Sequence, residues 1–338
     1  MTNTARQFEI SASAGTKKID RRFCIAPMMD WTDRHCRYFL RLLFPHAHLY
    51  TEMVTTGALL HGDVDRFLKY DASEHPLALQ LGGSDPSDMT SCARLAEDYG
   101  YDEVNINVGC PSDRVQSGAF GACLMREPET VANCIVSMQQ AVSIPVTVKT
   151  RIGVDEMENY EDLQQFIRYI VDAGCKTVII HARKAWLQGL SPRENREIPP
   201  LRYELVYQLK KDFPALEVII NGGIKTLQDV QQQLLHVDGV MIGREAYQNP
   251  YALTAIEKTV FAMDTLPDRH EVVQRYIPYI RKQLHQGVYL KHMSRHLLGL
   301  FQGQSGARAW RRYLSEHAHQ TGADERVILA ALAQVQNN

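Results

Sequence analysis

The sequence predicts an α/β protein, a closed (β/α)8 TIM barrel followed by a C-terminal all-helical domain. Three observations support this fold class. Between Phe23 and Arg244, eight short β-branched runs alternate with segments of helical period, which is typical of βα units around a parallel sheet. After Tyr251 the strand pattern stops and only helical periods follow. The length of 338 residues leaves about 90 residues beyond a barrel of roughly 250.

The candidate strands are spaced regularly, and each follows a helical or turn segment. They are Phe23–Pro27, His48–Met53, Leu77–Gly82, Glu103–Gly109, Val146–Arg151, Thr177–Arg183, Glu217–Gly222 and Gly239–Gly243. A doubly wound open sheet is the alternative, but it usually has fewer strands and needs a Gly-rich first turn. The first turn here reads Ala-Pro-Met-Met, which favours the barrel.

The helices between the strands are predicted from their start signals and apolar spacing. Asp85, followed by a proline, begins a helix that continues to Tyr99, and Pro128 begins another. A third helix is predicted over Tyr160–Ala173, where apolar residues recur at spacings of three and four before a glycine.

The C-terminal part of the chain is predicted to contain helices alone. They are placed at Glu257–Met263, Val272–Gln286, Leu290–Gln302, Gly306–Gln320 and Asp324–Gln334. We therefore expect a disordered extension at 1–21, a barrel at 22–258 and a helical domain at 259–338. The extension has basic residues without an apolar block, so it does not resemble a secretory signal.

The composition excludes several classes of protein. Hydrophobic residues make up 45% and charged residues 22%, as in ordinary globular proteins, and no run approaches the ~18 apolar residues of a membrane-spanning helix. The seven cysteines are odd in number and lack the paired spacing of zinc or redox motifs. We therefore expect a reducing, cytoplasmic location and no metal site. The net charge of -2 by itself predicts neither a nucleic-acid binder nor a membrane binder.

In barrels of this kind the active site lies at the carboxyl ends of the strands, here called the mouth. Uncharged polar or basic residues occupy six of the eight strand ends, and Glu52 is the main acidic exception. The mouth is therefore expected to be electropositive.

The last two strands each end in a glycine turn that precedes a helix. Asn221, Gly222 and Gly223 follow the seventh strand, and Gly243 and Arg244 follow the eighth. Barrels commonly bind phosphate at this place through backbone N–H groups and helix N-termini. A tight connection would explain one such turn, but two in succession favour a phosphate-bearing cofactor.

A lysine on the fifth strand indicates which cofactor this is. Lys149 lies among Val146, Val148 and Ile152, which is unlike the setting of a surface lysine. A cation near N1 and O2 of an isoalloxazine stabilises the reduced anionic ring, so the sequence favours a flavin.

Cys110 is the candidate catalytic residue. It lies between Gly109 and Pro111, just after the fourth strand, on a loop that projects into the mouth. A cysteine is usually a small buried hydrophobe, and that interpretation fits Cys24 and Cys134. No acidic residue is near Cys110 in the sequence, so its thiol can remain neutral and donate a proton rather than act as a nucleophile.

The segment from Val272 to Ser315 contains eight basic residues and no acidic one. They are Arg275, Arg281, Lys282, Lys291, Arg295, Arg308, Arg311 and Arg312. Because the whole chain carries -2, the remainder carries -10. An acid-free basic stretch is typical of proteins that bind a phosphate backbone, although a solvated helix face is the alternative. A second basic group, Lys184, Arg193 and Arg196, lies in the loop after the sixth strand.

Taken together, these motifs resemble the tRNA-dihydrouridine synthase family. The matching segments are 26–29, 80–83, 105–111, 149, 181–183, 221–224 and 243–244, in the order of the family pattern. Segments 30–33, 184–192 and 297–304 resemble its A-type bacterial branch. The resemblance covers about residues 22–315.

The resemblance implies a fold, a reaction and a set of site residues. The implied enzyme uses FMN and NADPH to reduce uridines 20 and 20a in the D-loop of tRNA, as a monomer. FMN would be held by Pro27, Met28, Met29, Gln80, Lys149, His181, Asn221, Gly222, Gly223, Gly243 and Arg244. Cys110 would be the proton donor, and Asn107 would contact the uridine. The implied tRNA contacts are Arg193, Arg196, Arg308 and Arg311.

Two other functions are compatible with parts of the sequence. A barrel flavoprotein that acts on a free pyrimidine, like a dihydroorotate dehydrogenase, would explain the mouth but not the basic helical segment. A non-catalytic tRNA-binding protein would have a flavin that is structural or absent, and the colour of the purified protein would distinguish it.

Overall fold

The computed structural model describes residues 19–112 and 118–335, in which eight parallel strands close into a barrel. The strands are β1 Phe23–Ile25, β2 His48–Thr55, β3 Leu77–Gly82, β4 Glu103–Val108, β5 Val146–Arg151, β6 Thr177–His181, β7 Glu217–Asn221 and β8 Gly239–Ile242. All eight predicted strands are confirmed, with small differences at their ends. The barrel is closed because β1 pairs with β8 through Phe23 and Val240, which excludes the open sheet.

The helices that accompany the strands form the outer layer of the barrel. They are α1 Arg34–Leu43, α2 Thr56–His61, α3 Val64–Leu68, α4 Pro86–Asp98, α5 Pro128–Ala141, α6 Tyr160–Asp172, α7 Tyr203–Asp212, α8 Leu227–Gln233 and α9 Arg244–Gln248. The predicted start of α4 is confirmed, since the Asp85 side chain accepts the backbone N–H groups of Ser87 and Asp88. The helices predicted from Pro128 and Tyr160 are confirmed as α5 and α6.

The C-terminal helices depart from the prediction at one place. They are α10 Thr254–Val260, α11 Arg269–His285, α12 Lys291–Ser294, α13 Ala307–His317 and α14 Glu325–Leu332. The helix predicted over Leu290–Gln302 is wrong, because α12 gives way to a 3-10 turn and then to irregular chain. Gly299 passes against α9 so closely that a Cβ would lie 2.4 Å from the Gln248 carbonyl oxygen. Packing against the barrel therefore overrides helical propensity here.

The barrel layer and the C-terminal helices share one apolar core. Tyr276 of α11 and Trp310 of α13 belong to the same cluster of buried side chains as Phe39 of α1. The boundary predicted after residue 258 falls inside α10, so the division into 22–258 and 259–338 stays a prediction. Within the described ranges, no helix combines the length and hydropathy needed to cross a bilayer.

The extension predicted at 1–21 lies outside the described residues as far as position 18. For its last residue, Arg21, the prediction of disorder is wrong, because this side chain is buried. The Arg21 guanidinium lies 2.7 Å from the Glu103 carboxylate and 2.9 Å from that of Glu217. These carboxylates come from β4 and β7, so only the closed barrel reveals that they need a cation.

The interior of the barrel contains a small apolar cluster beside buried polar side chains. Its buried apolar side chains are Cys24, Ala26, Tyr50, Ala78, Ile179, Ile219 and Met241. Because side chains alternate along a strand, the residues two positions further on point to the same interior, now nearer the mouth. Gln80, His181 and Asn221 occupy these positions, so the fold itself directs them into the mouth.

Candidate active site

The strand register makes neighbours of polar residues from four successive strands. Asn107 of β4 lies beside Lys149 of β5, and Arg151 of β5 lies beside His181 of β6. His181 in turn lies beside Asn221 of β7. Residues distant in sequence thus line one side of the mouth.

A chain of hydrogen-bonded amides runs from the interior to the candidate catalytic loop. Asn105 Nδ2 donates to Thr147 Oγ1 at 2.8 Å, and Gln80 Nε2 donates to Asn105 Oδ1 at 2.8 Å. Asn107 Nδ2 donates to Gln80 Oε1 at 2.8 Å. Asn107 Oδ1 then accepts the backbone N–H of Cys110 at 3.0 Å. Each amide has one orientation that satisfies its neighbours, so the chain fixes the loop.

The lower end of this chain rests on a buried carboxylate. Glu103 accepts hydrogen bonds from Thr147 Oγ1 at 2.6 Å and from the Tyr50 hydroxyl at 3.0 Å. Burial alone would raise the pKa of Glu103, but the Arg21 charge and the nearby His48 hold it well below its usual range. The carboxylate therefore stays ionised and accepts hydrogen bonds without donating any.

Cys110 is half-buried at the beginning of the loop after β4. Its Sγ lies 3.5 Å from Ser112 Oγ, and its carbonyl oxygen accepts the Ala122 N–H at 2.9 Å. Of the seven free cysteines, only Cys110 and Cys123 are not fully buried. Cys123 Sγ donates to the Phe120 carbonyl at 3.1 Å. Residues 113–117 of this loop lie outside the described ranges.

Lys149 and His181 differ in charge near neutral pH. Burial, followed by the positive charge of Arg151, lowers the pKa of Lys149 to about 8. Lys149 Nζ lies 3.3 Å from Asn221 Oδ1, and Asn221 Nδ2 donates to the Met241 carbonyl at 2.7 Å. Burial, followed by the positive charges of Arg151 and Lys149, lowers the pKa of His181 well below its usual value. The site thus presents a lysine cation beside a neutral imidazole.

The glycine turn after β7 packs closely against His181 and Leu201. Gly222 and Gly223 have φ values of 118° and 73°, which L side chains rarely adopt. A Cβ at Gly222 would lie 2.9 Å from the His181 ring. At Gly243 an added Cβ would lie 3.7 Å from Met28 Sδ, so the turns after β8 and β1 are neighbours. The close fit and the positive φ values together require glycine at positions 222 and 223.

The residues after β1 that are predicted to hold the cofactor are less buried than Gln80 and Asn221. Pro27 and Met28 are half-buried, and Met29 is 54% exposed. The turn is held by Thr32, whose hydroxyl accepts the Met28 N–H at 2.9 Å and lies 3.2 Å from the Met28 carbonyl oxygen. Its main chain is therefore ordered while Met29 remains accessible.

Arg244, predicted to hold the cofactor, forms an ion pair with a carboxylate that the sequence analysis did not consider. Its Nη1 lies 2.5 Å from Glu197 Oε1, and Arg193 Nε lies 3.8 Å from the same oxygen. Arg244 Nη2 also lies 3.4 Å from the Arg196 carbonyl oxygen. The structure thus brings Arg193, Arg196 and Arg244 together around Glu197, a residue that the sequence analysis did not single out.

Arg151 is the main residue that the sequence analysis missed. Its Nε donates to the Gly109 carbonyl at 2.9 Å, and its Nη1 donates to the Lys184 and Asn195 carbonyls at 3.0 and 2.9 Å. It is only 4% exposed, and burial lowers its pKa to about 10. The signal was its position two residues after Lys149, on the same face of β5. Arg151 joins the Cys110 loop to the loop after β6.

Asp33 connects the first turn of the mouth to the C-terminal helices. Its carboxylate lies 2.6 Å from Arg295 Nη2 and 3.0 Å from His296 Nε2. His296 Nδ1 lies 3.2 Å from the Tyr247 hydroxyl, and the Tyr247 ring stacks on Trp31 at 4.5 Å. The turns after β1 and β8 therefore share one contact with the segment that follows α12.

Half of the basic residues between Val272 and Ser315 are neutralised by ion pairs in the structure. Four of the eight cations pair with acidic residues from outside this segment: Arg275 with Glu271, Arg281 with Glu325, Lys282 with Asp71, and Arg295 with Asp33. Among the described residues, Lys291, Arg308, Arg311 and Arg312 have no such ion pair. Arg308 and Arg311 lie on α13 rather than at the strand ends, and Arg311 Nη1 donates to Gln302 Oε1 at 3.0 Å.

Comparisons with known proteins show which family the chain resembles along most of its length. Residues 24–336 match the family described as Dihydrouridine synthase (Dus). A tRNA-dihydrouridine(20/20a) synthase of Shewanella oneidensis is 60% identical over 324 residues, which cover 96% of each chain. Another protein of that name from Escherichia coli K12 is 61% identical over 316 residues, covering 93% of this chain and 91% of the relative.

A solved structure shows the same fold at low identity. A 2-naphthoyl-CoA reductase in complex with 2-naphthoyl-CoA has a TM-score of 0.57 and 12% identity. The match covers 73% of this chain but spans only about half of that structure, 51% of its length. The similarity extends to the fold alone. From the family match over most of its length and its high identity to these relatives, the chain belongs to the dihydrouridine synthase family.

Proposed function

We propose that this protein reduces uridines 20 and 20a in the D-loop of tRNA to 5,6-dihydrouridine, with bound FMN and with NADPH as reductant. The observation that carries the proposal is the position of Cys110. This half-buried thiol lies on a loop that Asn107 holds through a hydrogen bond to the Cys110 N–H. Asn107 is on β4, directly beside Lys149 of β5. The names and high identity of the relatives support the same reaction.

The residues of the mouth fit the chemistry of FMN. Its phosphate suits the turns at Gly222, Gly223 and Gly243, because these turns follow the last two strands, where barrels commonly bind phosphate. Several cations surround these turns, and Glu197 is the acidic residue that pairs with them in the described part of the chain. The residues that would hold FMN are Pro27, Met28, Met29, Gln80, Lys149, His181, Asn221, Gly222, Gly223, Gly243 and Arg244.

Lys149 would orient and stabilise the isoalloxazine, because its ammonium can offset charge near N1 and O2. When bound, reduced FMN supplies the hydride that the C6 atom of uridine gains. His181 is a neutral imidazole, so it offers one hydrogen-bond donor and one acceptor without adding charge.

Cys110 would complete the reduction by donating a proton to C5 of the uridine. The C5=C6 double bond is conjugated to the C4 carbonyl, so addition at C6 builds negative charge at C5 and O4. A neutral thiol on the opposite side of the base can supply the required proton. The sulfur is left as a thiolate and regains its proton from solvent. One hydride and one proton thus account for both added hydrogens.

Asn107 would help to position the pyrimidine. One Nδ2 hydrogen donates to Gln80, and Oδ1 already accepts the N–H groups of Gly109 and Cys110. The second Nδ2 hydrogen is the remaining capacity of this amide, and it suits a carbonyl oxygen of uracil.

The basic residues outside the mouth would bind the tRNA backbone. A target uridine must leave its stacked position to reach a pocket, which costs a few kcal/mol. Phosphate contacts from Arg193, Arg196, Arg308 and Arg311 would offset this cost. Arg193 is 80% exposed and Arg308 is exposed, as such contacts require.

The experiment that tests the proposal maps dihydrouridine in tRNA from cells that lack this protein, and then in the same tRNA after incubation with purified protein and NADPH. We expect positions 20 and 20a to be unmodified in the first sample and reduced in the second. Reduction of free uridine or orotate in preference to tRNA would instead favour the free-pyrimidine enzyme. A colourless protein that cannot be reconstituted with FMN would favour a non-catalytic binding protein.

A further inference from the structure

The turn between α11 and α12 carries a large aromatic side chain that is exposed although its backbone is firmly held. Tyr289 is 68% exposed. The turn is closed by the Val288 N–H, which donates to the Gln283 carbonyl at 3.0 Å. Leu290, the next residue after Tyr289, and Met293 on α12 are fully buried. The exposure of Tyr289 is therefore a property of an ordered turn.

A single exposed aromatic residue is common on protein surfaces, so its neighbours decide its meaning. Lys291 Nζ lies 5.7 Å from the centre of the Tyr289 ring, and the His292 ring lies 6.3 Å from it. Both neighbours are exposed, and no acidic residue occurs between positions 272 and 315. We call Tyr289, Lys291 and His292 the α12 platform.

The platform is connected to the mouth through ordered contacts. The helix α12 packs against α1, for which Asp33 is the N-cap residue. Arg295, one helical turn after His292, binds the Asp33 carboxylate at 2.6 Å. Asp33 follows the turn that contains Met28 and Met29, so α12 sits beside the first turn of the mouth.

The cations near the platform differ in how they are neutralised. Arg295 is engaged with Asp33, whereas Lys291 has no ion-pair partner among residues 19–112 and 118–335. An exposed aromatic ring beside an unpaired cation is the pairing that single-stranded nucleic acid recognises, since bases stack on the ring and the phosphate meets the charge. A protein partner would more often meet an apolar patch, and no second exposed large hydrophobic residue accompanies Tyr289 among residues 272–315.

We propose that the α12 platform binds an unpaired nucleotide of the RNA substrate, with a base stacked on Tyr289 and a phosphate beside Lys291. The inference rests on the proposed function and deepens it. It assigns an RNA contact outside the mouth and distinct from the arginines of α13. Tyr289 takes no part in the chemistry at C5 or C6.

The test measures the affinity of the FMN-loaded protein for an unmodified tRNA transcript. Tyr289→Ala should raise the Kd at least about fivefold, the lower end of what one stacked base contributes. Tyr289→Phe keeps the ring and should stay within about twofold of wild type. Lys291→Ala should lower the slope of log Kd against log salt by about 1, whereas Tyr289→Ala should leave that slope unchanged. Leu235→Ala, which removes a side chain that is 72% exposed on the barrel, is the matched control and should change nothing.

Several outcomes would overturn the inference. Wild-type affinity in Tyr289→Ala would exclude stacking and would indicate that the platform serves another partner, such as a protein. A Tyr289→Phe variant as weak as Tyr289→Ala would assign the effect to the hydroxyl and not to the ring. Turnover at saturating tRNA should equal wild type in Tyr289→Ala, and a slower maximal rate would contradict a pure binding role. If the wild-type protein neither binds nor reduces tRNA, the proposed function itself fails, which these variants would not cause.

Discussion

The side-chain oxygen of Asn107 accepts the backbone N–H of Cys110 at 3.0 Å, which ties the position of the thiol to the barrel interior. The same oxygen accepts the Gly109 N–H at 3.1 Å, while Asn107 Nδ2 donates to Gln80 at 2.8 Å. Asn107 is thus the joint between the buried amide chain and the loop. A residue that we expect to contact uridine also determines where the proton donor stands.

Replacing Cys110 by alanine should abolish most tRNA reduction while tRNA and FMN binding persist. Loss of a general acid typically lowers a rate by about 10²–10⁴-fold. Single-turnover measurements with reduced enzyme and excess tRNA would report the chemical step. Cys123→Ala is the control, since Cys123 is the other thiol that is not fully buried. An undiminished rate in Cys110→Ala would refute the assignment.

Replacing Asn107 by aspartate should destabilise the protein and slow the reaction. The carboxylate keeps both acceptors but faces the Gln80 oxygen where Nδ2 now donates, so the buried pair becomes two acceptors. We expect a loss of about 1–3 kcal/mol in the free energy of unfolding, measured by urea titration. Unchanged stability would show that Gln80 can reverse its amide despite the bond to Asn105.

The ionisation of Lys149 predicts proton uptake when FMN binds. Burial and then Arg151 lower the pKa of Lys149 to about 8 in the apoprotein, and an anionic ligand beside the ammonium raises it again. At pH 9 to 10 binding should therefore take up a proton, and the calorimetric heat should vary with the ionisation enthalpy of the buffer. Lys149→Met should bind FMN more weakly and show no such dependence.

The same lowered pKa has a consequence for stability. Between pH 8 and the unfolded value of about 10.4, the unfolded chain binds more protons at Lys149 than the folded apoprotein does. Stability of the apoprotein should therefore rise with pH across this window, relative to Lys149→Met. Parallel pH profiles for the two proteins would contradict the assignment.

Asp33→Asn should weaken the contact between the first turn and the C-terminal helices. Asparagine keeps the cap that Asp33 provides to the N–H groups of His35 and Cys36, but it loses the charge that binds Arg295 and His296. We expect a cost of about 1–3 kcal/mol at neutral pH, measured by urea unfolding.

The cost of Asp33→Asn should depend on pH in a defined direction. Burial would raise the pKa of Asp33, but the bond and charge of His296 hold it well below its usual range. The carboxylate therefore stabilises the fold above the unfolded pKa of about 3.9, and this contribution is lost as pH falls below that value. The difference between variant and wild type should shrink in acid, and a difference that grows would contradict the ion pair.

Replacing Arg308 and Arg311 by alanine should weaken tRNA binding across sequences and lower its salt slope by about 1 per arginine. Arg275→Ala with Arg281→Ala removes the same charge from α11, but these arginines already pair with Glu271 and Glu325. The control pair should therefore change the slope less. Equal effects of both double variants would assign binding to net charge and not to the unpaired face of α13.

The sequence by itself determined the barrel and the residue types at its mouth. The alternation of strand and helix segments placed Gln80, Lys149, His181 and Asn221 at or near the carboxyl ends of predicted strands, where a barrel has its active site. The position of Cys110 just after a strand, together with the ordered series of motifs, indicated the family from the sequence alone. These conclusions depend on neighbours within a few residues along the chain, so they could be made without the fold.

Tertiary structure alone decided which charges remain available and how the catalytic loop is held. Glu271, Glu325, Asp71 and Asp33 neutralise half of a segment that reads as uniformly basic, and Glu197 pairs with Arg244. Arg21, predicted to belong to the disordered extension, forms an ion pair with Glu103. The segment around Gly299, predicted to be helical, packs against α9 in an irregular conformation. The physical reason is common to all of these cases. Ion pairs and close packing join residues far apart in sequence, and their partners are set only when the barrel closes.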